Sequence, residues 1–133
     1  MRDNRDINIL ARIMFHCEEI YYIVNRLGDS IEVLQSDRLY KPAVSMHIVQ
    51  IGELSAHLTD EFKLNFSEIP WKQIKAMRNF AAHNYAKLDL KYLWSTIKND
   101  VPNLHNFCKK TIEMYDNDEQ SIIRQTAPSL KPR

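Results

Sequence analysis

The stretch Asp6-Ile7-Asn8-Ile9-Leu10-Ala11-Arg12-Ile13-Met14-Phe15-His16-Cys17-Glu18-Glu19-Ile20-Tyr21-Tyr22-Ile23-Val24-Asn25-Arg26-Leu27-Gly28 decides the fold. Within it Leu10, Ile13, Met14, Cys17, Ile20, Tyr21, Val24 and Leu27 recur at steps of three and four residues. That spacing gathers apolar side chains on one face of an α-helix. It predicts a helix from Asp6 to Leu27, stopped by Gly28, which can take the backbone conformation of a C-cap without a steric penalty.

The same period continues along the chain. Ser30 is placed to cap a short turn of helix through Leu34. A second long helix begins at Asp37 or Arg38 and tolerates Pro42 in its first turn, where an N–H is not needed. Its stripe of Tyr40, Val44, His47, Ile48, Ile51, Ser55, Leu58 and Phe62 predicts an end at Glu61 or Phe62. Residues 65–69 connect to a third helix, whose start is marked by Ser67 and Pro70 and which carries Trp71, Ile74, Met77, Arg78 and Ala81 near one face. Asn84 and Tyr85 interrupt the pattern. Asp89 then offers a cap for a fourth helix, with Leu90, Leu93, Trp94, Ile97, Val101, Leu104, Cys108, Ile112 and Tyr115 in register. Pro102 falls inside that repeat, which predicts a kink or short break near Asn99 to Val101.

These four helices, joined mostly by short connections, read as an all-α antiparallel four-helix bundle, with room for a short additional helix. Composition agrees: 133 residues hold only two glycines and five prolines, leaving few places for hairpin turns. The expected domain is residues 1–115, followed by a polar tail over 116–133 that is mobile or forms a short helix around Ser121 to Arg124. Net charge is +1, so any attraction to nucleic acid must be local. Cys17 and Cys108 each lie among apolar residues, as buried free thiols do in a reducing compartment. The charged N-terminus and the lack of a long apolar run exclude a signal peptide and a membrane span, so a cytoplasmic protein with no membrane partner is expected.

Several chemistries are excluded by spacing. The chain has no glycine-rich phosphate loop, no Cys-x-x-Cys, no His-Glu-x-x-His and no Glu-x-x-His pair, and neither a metal nor another cofactor is expected. His16, His47, His57 and His105 stand singly on helices and read as surface or hydrogen-bonded residues. His83 keeps different company, with Arg78 five residues before it and Tyr85 two after. A group that titrates near neutrality beside a permanently charged phosphate binder supplies the parts for metal-free RNA cleavage. In that reaction a base takes the 2′-hydroxyl proton, the freed oxygen attacks phosphorus, an acid protonates the departing 5′-oxygen, and a cation steadies the non-bridging oxygens.

On an ideal helix Arg78 and His83 stand about 140° apart, so a continuous helix does not aim both at one atom. Either the helix loosens after Ala82 or a second copy in a two-fold dimer completes the site. From Ile69 to Lys91 the basic residues Lys72, Lys75, Arg78, Lys87 and Lys91 face one acid, Asp89, a local charge of +4. Such a field attracts RNA, although lysines also simply solvate a helix face. Arg78 in an apolar stripe equally reads as an internal ion-pair partner for Glu53, which would orient its guanidinium. Tyr85 equally reads as a packing residue at a helix end.

The runs Gln50-Ile51-Gly52-Glu53, Ile69-Pro70-Trp71, Met77-Arg78-Asn79, Ala82-His83-Asn84-Tyr85 and Asp100-Val101-Pro102-Asn103-Leu104 resemble the HEPN superfamily, specifically its HepT-like toxins. The most specific element is R-x-x-x-x-H-x-Y, here Arg78, His83 and Tyr85. The resemblance implies a metal-independent endoribonuclease that acts as the toxin of a type VII toxin–antitoxin pair. Arg78 and His83 would form the catalytic centre across a homodimer interface, with Asn79 an accessory polar residue. It also implies a partner, an MNT-type nucleotidyltransferase antitoxin that silences the toxin by transferring AMP from ATP to Tyr85. HEPN proteins also include non-catalytic helical binding subunits of nucleotidyltransferases, which is the alternative function.

Overall fold

The computed structural model describes residues 4–84 and 89–126, with side chains over 4–79 and 89–120. Among these residues every regular element is helical: α1 Arg5–Leu27, α2 Ile31–Ser36, α3 Tyr40–Ala56, α4 Asp60–Asn65, α5 Trp71–Asn84, α6 Leu90–Ser95, a π-helical turn Thr96–Asp100, and α7 Val101–Thr126. The long helices α1, α3, α5 and α7 make the expected bundle, and α6 with its π-helical turn feeds directly into α7.

The end of α1 follows the sequence reading. Gly28 has φ 138° and donates its N–H to the Val24 carbonyl. The fully buried Tyr40 donates its hydroxyl to the Gly28 carbonyl at 2.9 Å, tying the start of α3 to the end of α1. Ser30 Oγ accepts the Val33 N–H and caps α2. Asp89 Oδ1 accepts from the Lys91 and Tyr92 N–H groups and caps α6. The core is built from α1 (Leu10, Ile13, Cys17, Ile20), α3 (Val44, Ile48, Ile51, Leu54) and α7 (Val101, Leu104, Cys108). Both cysteines are free and buried, and desolvation raises both thiols, Cys108 to about 12.

Three boundaries depart from the local pattern. The second long helix stops at Ala56, not at Glu61 or Phe62. Thr59 interrupts it by capping α4 through Phe62 N–H, while its own N–H and hydroxyl donate to the two oxygens of Asp6 at 2.9 and 2.7 Å. The partner that makes this break favourable lies 53 residues away. In the fourth element, the Val101 N–H reaches back five residues to the Thr96 carbonyl. The expected kink before Pro102 thus takes the form of one π-helical turn, which absorbs a residue that cannot donate to the helical ladder. Finally, α7 continues past Tyr115 to Thr126. No proline occurs between Pro102 and Pro128 to end it, and Ile112, Tyr115 and Glu119 keep one side partly covered.

The entry to α5 is fixed by aromatics. Phe62, Phe66, Trp71 and Phe107 form a contiguous ring cluster with centroids 4.7–6.3 Å apart. Trp71 Nε1 donates to the Phe66 carbonyl at 3.1 Å. Pro70 stands immediately before the first helical residue, and its carbonyl accepts the Ile74 N–H. The Ile-Pro-Trp run thereby sets the direction in which α5 crosses α3.

Candidate functional site

Helix α5 packs chiefly on α3, and the two come into tight contact at Gly52. A Cβ built there would overlap Arg78 Cβ outright and come within 2.7 Å of its Cγ and 3.1 Å of its Cδ. The Arg78 side chain therefore lies across the glycine, and the adjacent Glu53 meets its head. Arg78 Nη1 donates to Glu53 Oε1 at 2.9 Å, the pairing anticipated from sequence. On the other side, Arg78 Nε donates to Asn79 Oδ1 at 3.0 Å and Nη2 donates to the same oxygen. Three of the five guanidinium N–H groups are thus committed, and one on each Nη nitrogen has no partner among the described residues. With its side chain 20% exposed, the guanidinium is anchored yet reachable. A group held this way can present a planar fork to a phosphate with little further ordering.

Around the α5 axis, Met77 and the half-buried Ile74 face inward, while Lys72, Lys75, Ala76 and Asn79 are exposed. Helical register puts position 83 about 40° around the axis from position 79. Helix α5 remains helical from Trp71 to Asn84, so it does not loosen after Ala82, and positions 78 and 83 keep their separation around the axis. The side chain of His83, like Tyr85 and Lys87, lies outside the described residues. Lys91 is exposed in the first turn of α6, whose backbone Asp89 caps.

The other histidines are engaged elsewhere. His105 pairs with Glu18 at 2.9 Å, and the His57 carbonyl accepts from Arg5. His16 and His47 join α1 to α3 through their Nδ1 atoms at 2.9 Å. Partial burial lowers both pKa values, and the His47 ring further lowers that of His16. Among the described residues no group of three or more His, Cys, Asp or Glu side chains is arranged to hold a metal ion, and no helix is long and apolar enough to cross a membrane.

Two features were not legible from spacing. The exposed face of α3 carries Leu39 and Met46, 72% and 60% exposed, on the line that continues through Gln50 to Glu53. An apolar groove also opens between α5 and the π-helical turn, on the opposite side of α5 from its lysines.

Comparison with known proteins finds sequence relatives over most of the chain. The family model described as "Ribonuclease HepT-like" matches residues 16–111. A protein of Methanocaldococcus jannaschii named "Putative RNase MJ1380" is 29% identical over 103 residues, covering 71% of this chain and 91% of its own length. "Putative RNase TTE0752" of Caldanaerobacter subterraneus is 30% identical over 105 residues, covering 78% of this chain and 91% of its own. "Probable ribonuclease HepT" of Thermococcus cleftensis is 37% identical over 68 residues, 51% of this chain and 62% of its own. No solved structure gives a significant match. The matched span runs from the middle of α1 into α7 and includes Gly52, Glu53, Arg78 and Asn79, and on that ground the chain belongs to the HepT-like ribonuclease family.

Proposed function

We propose that the protein is a metal-independent endoribonuclease toxin whose centre is composite, with Arg78 and His83 of two copies meeting at a homodimer interface. The observation that carries this reading is the anchored guanidinium of Arg78, held by Glu53 and Asn79 with two N–H groups left toward solvent. In the cleavage step His83 moves the proton at the 2′-oxygen or the 5′-oxygen, and Arg78 balances the charge that grows on the non-bridging oxygens. Glu53 and Asn79 are positioning residues. Lys72, Lys75, Lys87 and Lys91 supply the field that draws the RNA backbone, a contribution that weakens with salt.

The dimer is supported by the exposed Leu39 and Met46, which lie on the same face of α3 as Glu53. Burying them against a second copy would bring two Arg78 side chains toward one axis. Continuity of α5 to Asn84 favours the same reading, since one chain alone keeps positions 78 and 83 on different sides of a helix.

The partner in this reading is an MNT-type nucleotidyltransferase antitoxin. The Tyr85 oxygen attacks the α-phosphorus of ATP, pyrophosphate leaves, and the phenolic proton is lost. The added phosphodiester places negative charge and bulk beside a cationic surface and opposes RNA phosphate there. Two measurements test this function. The purified protein is expected to cut single-stranded RNA in EDTA, leaving 2′,3′-cyclic phosphate ends, and His83→Ala is expected not to. Equal cleavage by both would reject it. Incubation with the nucleotidyltransferase and ATP is expected to raise the intact mass by AMP units, and a gain retained by Tyr85→Phe would reject that acceptor.

A further inference from the structure

Two sequence runs have no part in the cleavage chemistry: Ile69-Pro70-Trp71 and Asp100-Val101-Pro102-Asn103-Leu104. In the fold they meet across one groove of about 160 Å³, floored by Ile48 and Ile51 of α3. One wall is α5, with Ile74 and Met77. The other is the π-helical turn and the start of α7, where the extra residue of the turn sets Thr96 and Asp100 along the groove. Turns of this kind concentrate at functional positions because they re-aim side chains at a cost in helix regularity.

The lining divides into two zones. The floor is aliphatic, and the ring of Tyr92, 53% exposed, stands at its side. The rim carries the exposed residues Gln73, Asp100 and Asn103, whose side chains make no hydrogen bond or ion pair among the described residues. An apolar slot beside an aromatic ring, edged by polar groups without partners, suits a flat heterocycle that can stack and hydrogen-bond along one edge.

Asp100 narrows the choice. An ionised carboxylate only accepts, and it repels phosphate, so a nucleotide must enter base first with its phosphate left in solvent. Guanine alone among the four RNA bases offers two adjacent donors, N1–H and N2–H, to the two oxygens of one carboxylate. Adenine and cytosine each set a ring-nitrogen lone pair beside their amine, and uracil flanks its single N–H with two carbonyls. We propose that this groove is a pocket for a guanine base, stacked at Tyr92 and read by Asp100, with Asn103 and Gln73 at the rim. The base can come from unpaired RNA or from a free guanine nucleotide. This pocket goes beyond the cleavage reading and is measured by binding, so either can fail without the other.

The test is a titration of the His83→Ala protein, which keeps RNA intact, with isoleucine methyl resonances as the readout. GMP is expected to shift Ile48, Ile51 and Ile74 at lower concentration than AMP, CMP or UMP. Asp100→Asn preserves shape but replaces an acceptor by a donor, and is expected to weaken GMP binding about tenfold or more. Because Asp100 is exposed, this variant should melt like its parent, and the melt is recorded alongside. Tighter binding of a uridine pentamer carrying one central guanosine assigns the pocket to RNA, and equal binding of GMP assigns it to the free nucleotide. Both outcomes uphold the pocket. Absence of shifts with GMP, equal response to all four nucleotides, or unchanged GMP affinity in a folded Asp100→Asn protein would overturn it.

Discussion

Gly52 of α3 and Arg78 of α5 occupy one space: the position of a Cβ on residue 52 is filled by the first carbons of the arginine. The arginine head can reach Glu53 because its stem lies across a residue without a side chain. Gly52→Ala therefore forces α5 or Arg78 aside. Overpacking of this kind costs about 1–3 kcal/mol, visible as a lower urea midpoint, and a displacement near 1 Å lowers cleavage by about a hundredfold. A variant of unchanged stability and activity would show that the close approach is not required.

Glu53 tests orientation apart from packing. Its ion pair with Arg78 is half exposed on the carboxylate side, so Glu53→Ala should cost less than about 1 kcal/mol in stability. RNA cleavage should nevertheless fall by about tenfold, because the guanidinium loses one of its two anchors. Glu53→Gln, which keeps an acceptor at that place, should recover much of the rate. Loss of stability in proportion to activity would instead mark Glu53 as a structural residue.

The clasp between Asp6 and Thr59 holds the first turn of α1 to the start of α4. Thr59→Ala removes both a helix cap and a side-chain partner and should destabilise by about 1–2 kcal/mol. A double-mutant cycle with Asp6→Ala should give a coupling of at least about 0.5 kcal/mol, since the two groups act as one unit. Additive losses would mean that the contact contributes little in solution.

The His16–His47 pair makes stability depend on pH with a definite sign. Both folded pKa values are lowered, chiefly by burial, from the ordinary value of about 6.5. The unfolded chain therefore binds more protons below that value, and stability present above pH 6.5 is lost as pH falls through 6.5 toward the lowered values. Arg12 adds to the depression at His16, and Glu19 opposes it at both rings. Urea unfolding of the wild type at pH 7.5, 6.5 and 5.5 should show this decline. Replacing both histidines by glutamine should flatten it, and equal slopes would assign the pH dependence to other groups.

Much of this organisation was legible in the sequence because it is encoded locally. The caps at Ser30 and Asp89, the stop at Gly28 and the kink before Pro102 follow from residue type and short-range spacing, and the Arg78–Glu53 pair, 25 residues apart, from an arginine standing in an apolar stripe. The break after Ala56 was not legible, because Thr59 competes for the chain only when Asp6 is beside it. The helical continuation from Tyr115 to Thr126 was obscured by polar composition, which does not itself end a helix. The groove was invisible for a related reason: it depends on how far α5 stands from the π-helical turn, and no single run of residues encodes that separation.

The claim that the ribonuclease centre is shared between two copies is tested most directly with dimers of fixed composition. A wild-type chain is paired with an Arg78→Ala/His83→Ala chain, the mixed dimer is isolated through two different tags, and its RNA cleavage is compared with that of the wild-type dimer. A shared centre loses half of its catalytic groups in every mixed dimer, so the rate should fall far below half of the wild-type value. Retention of half the wild-type rate would mean that each chain holds a complete site of its own.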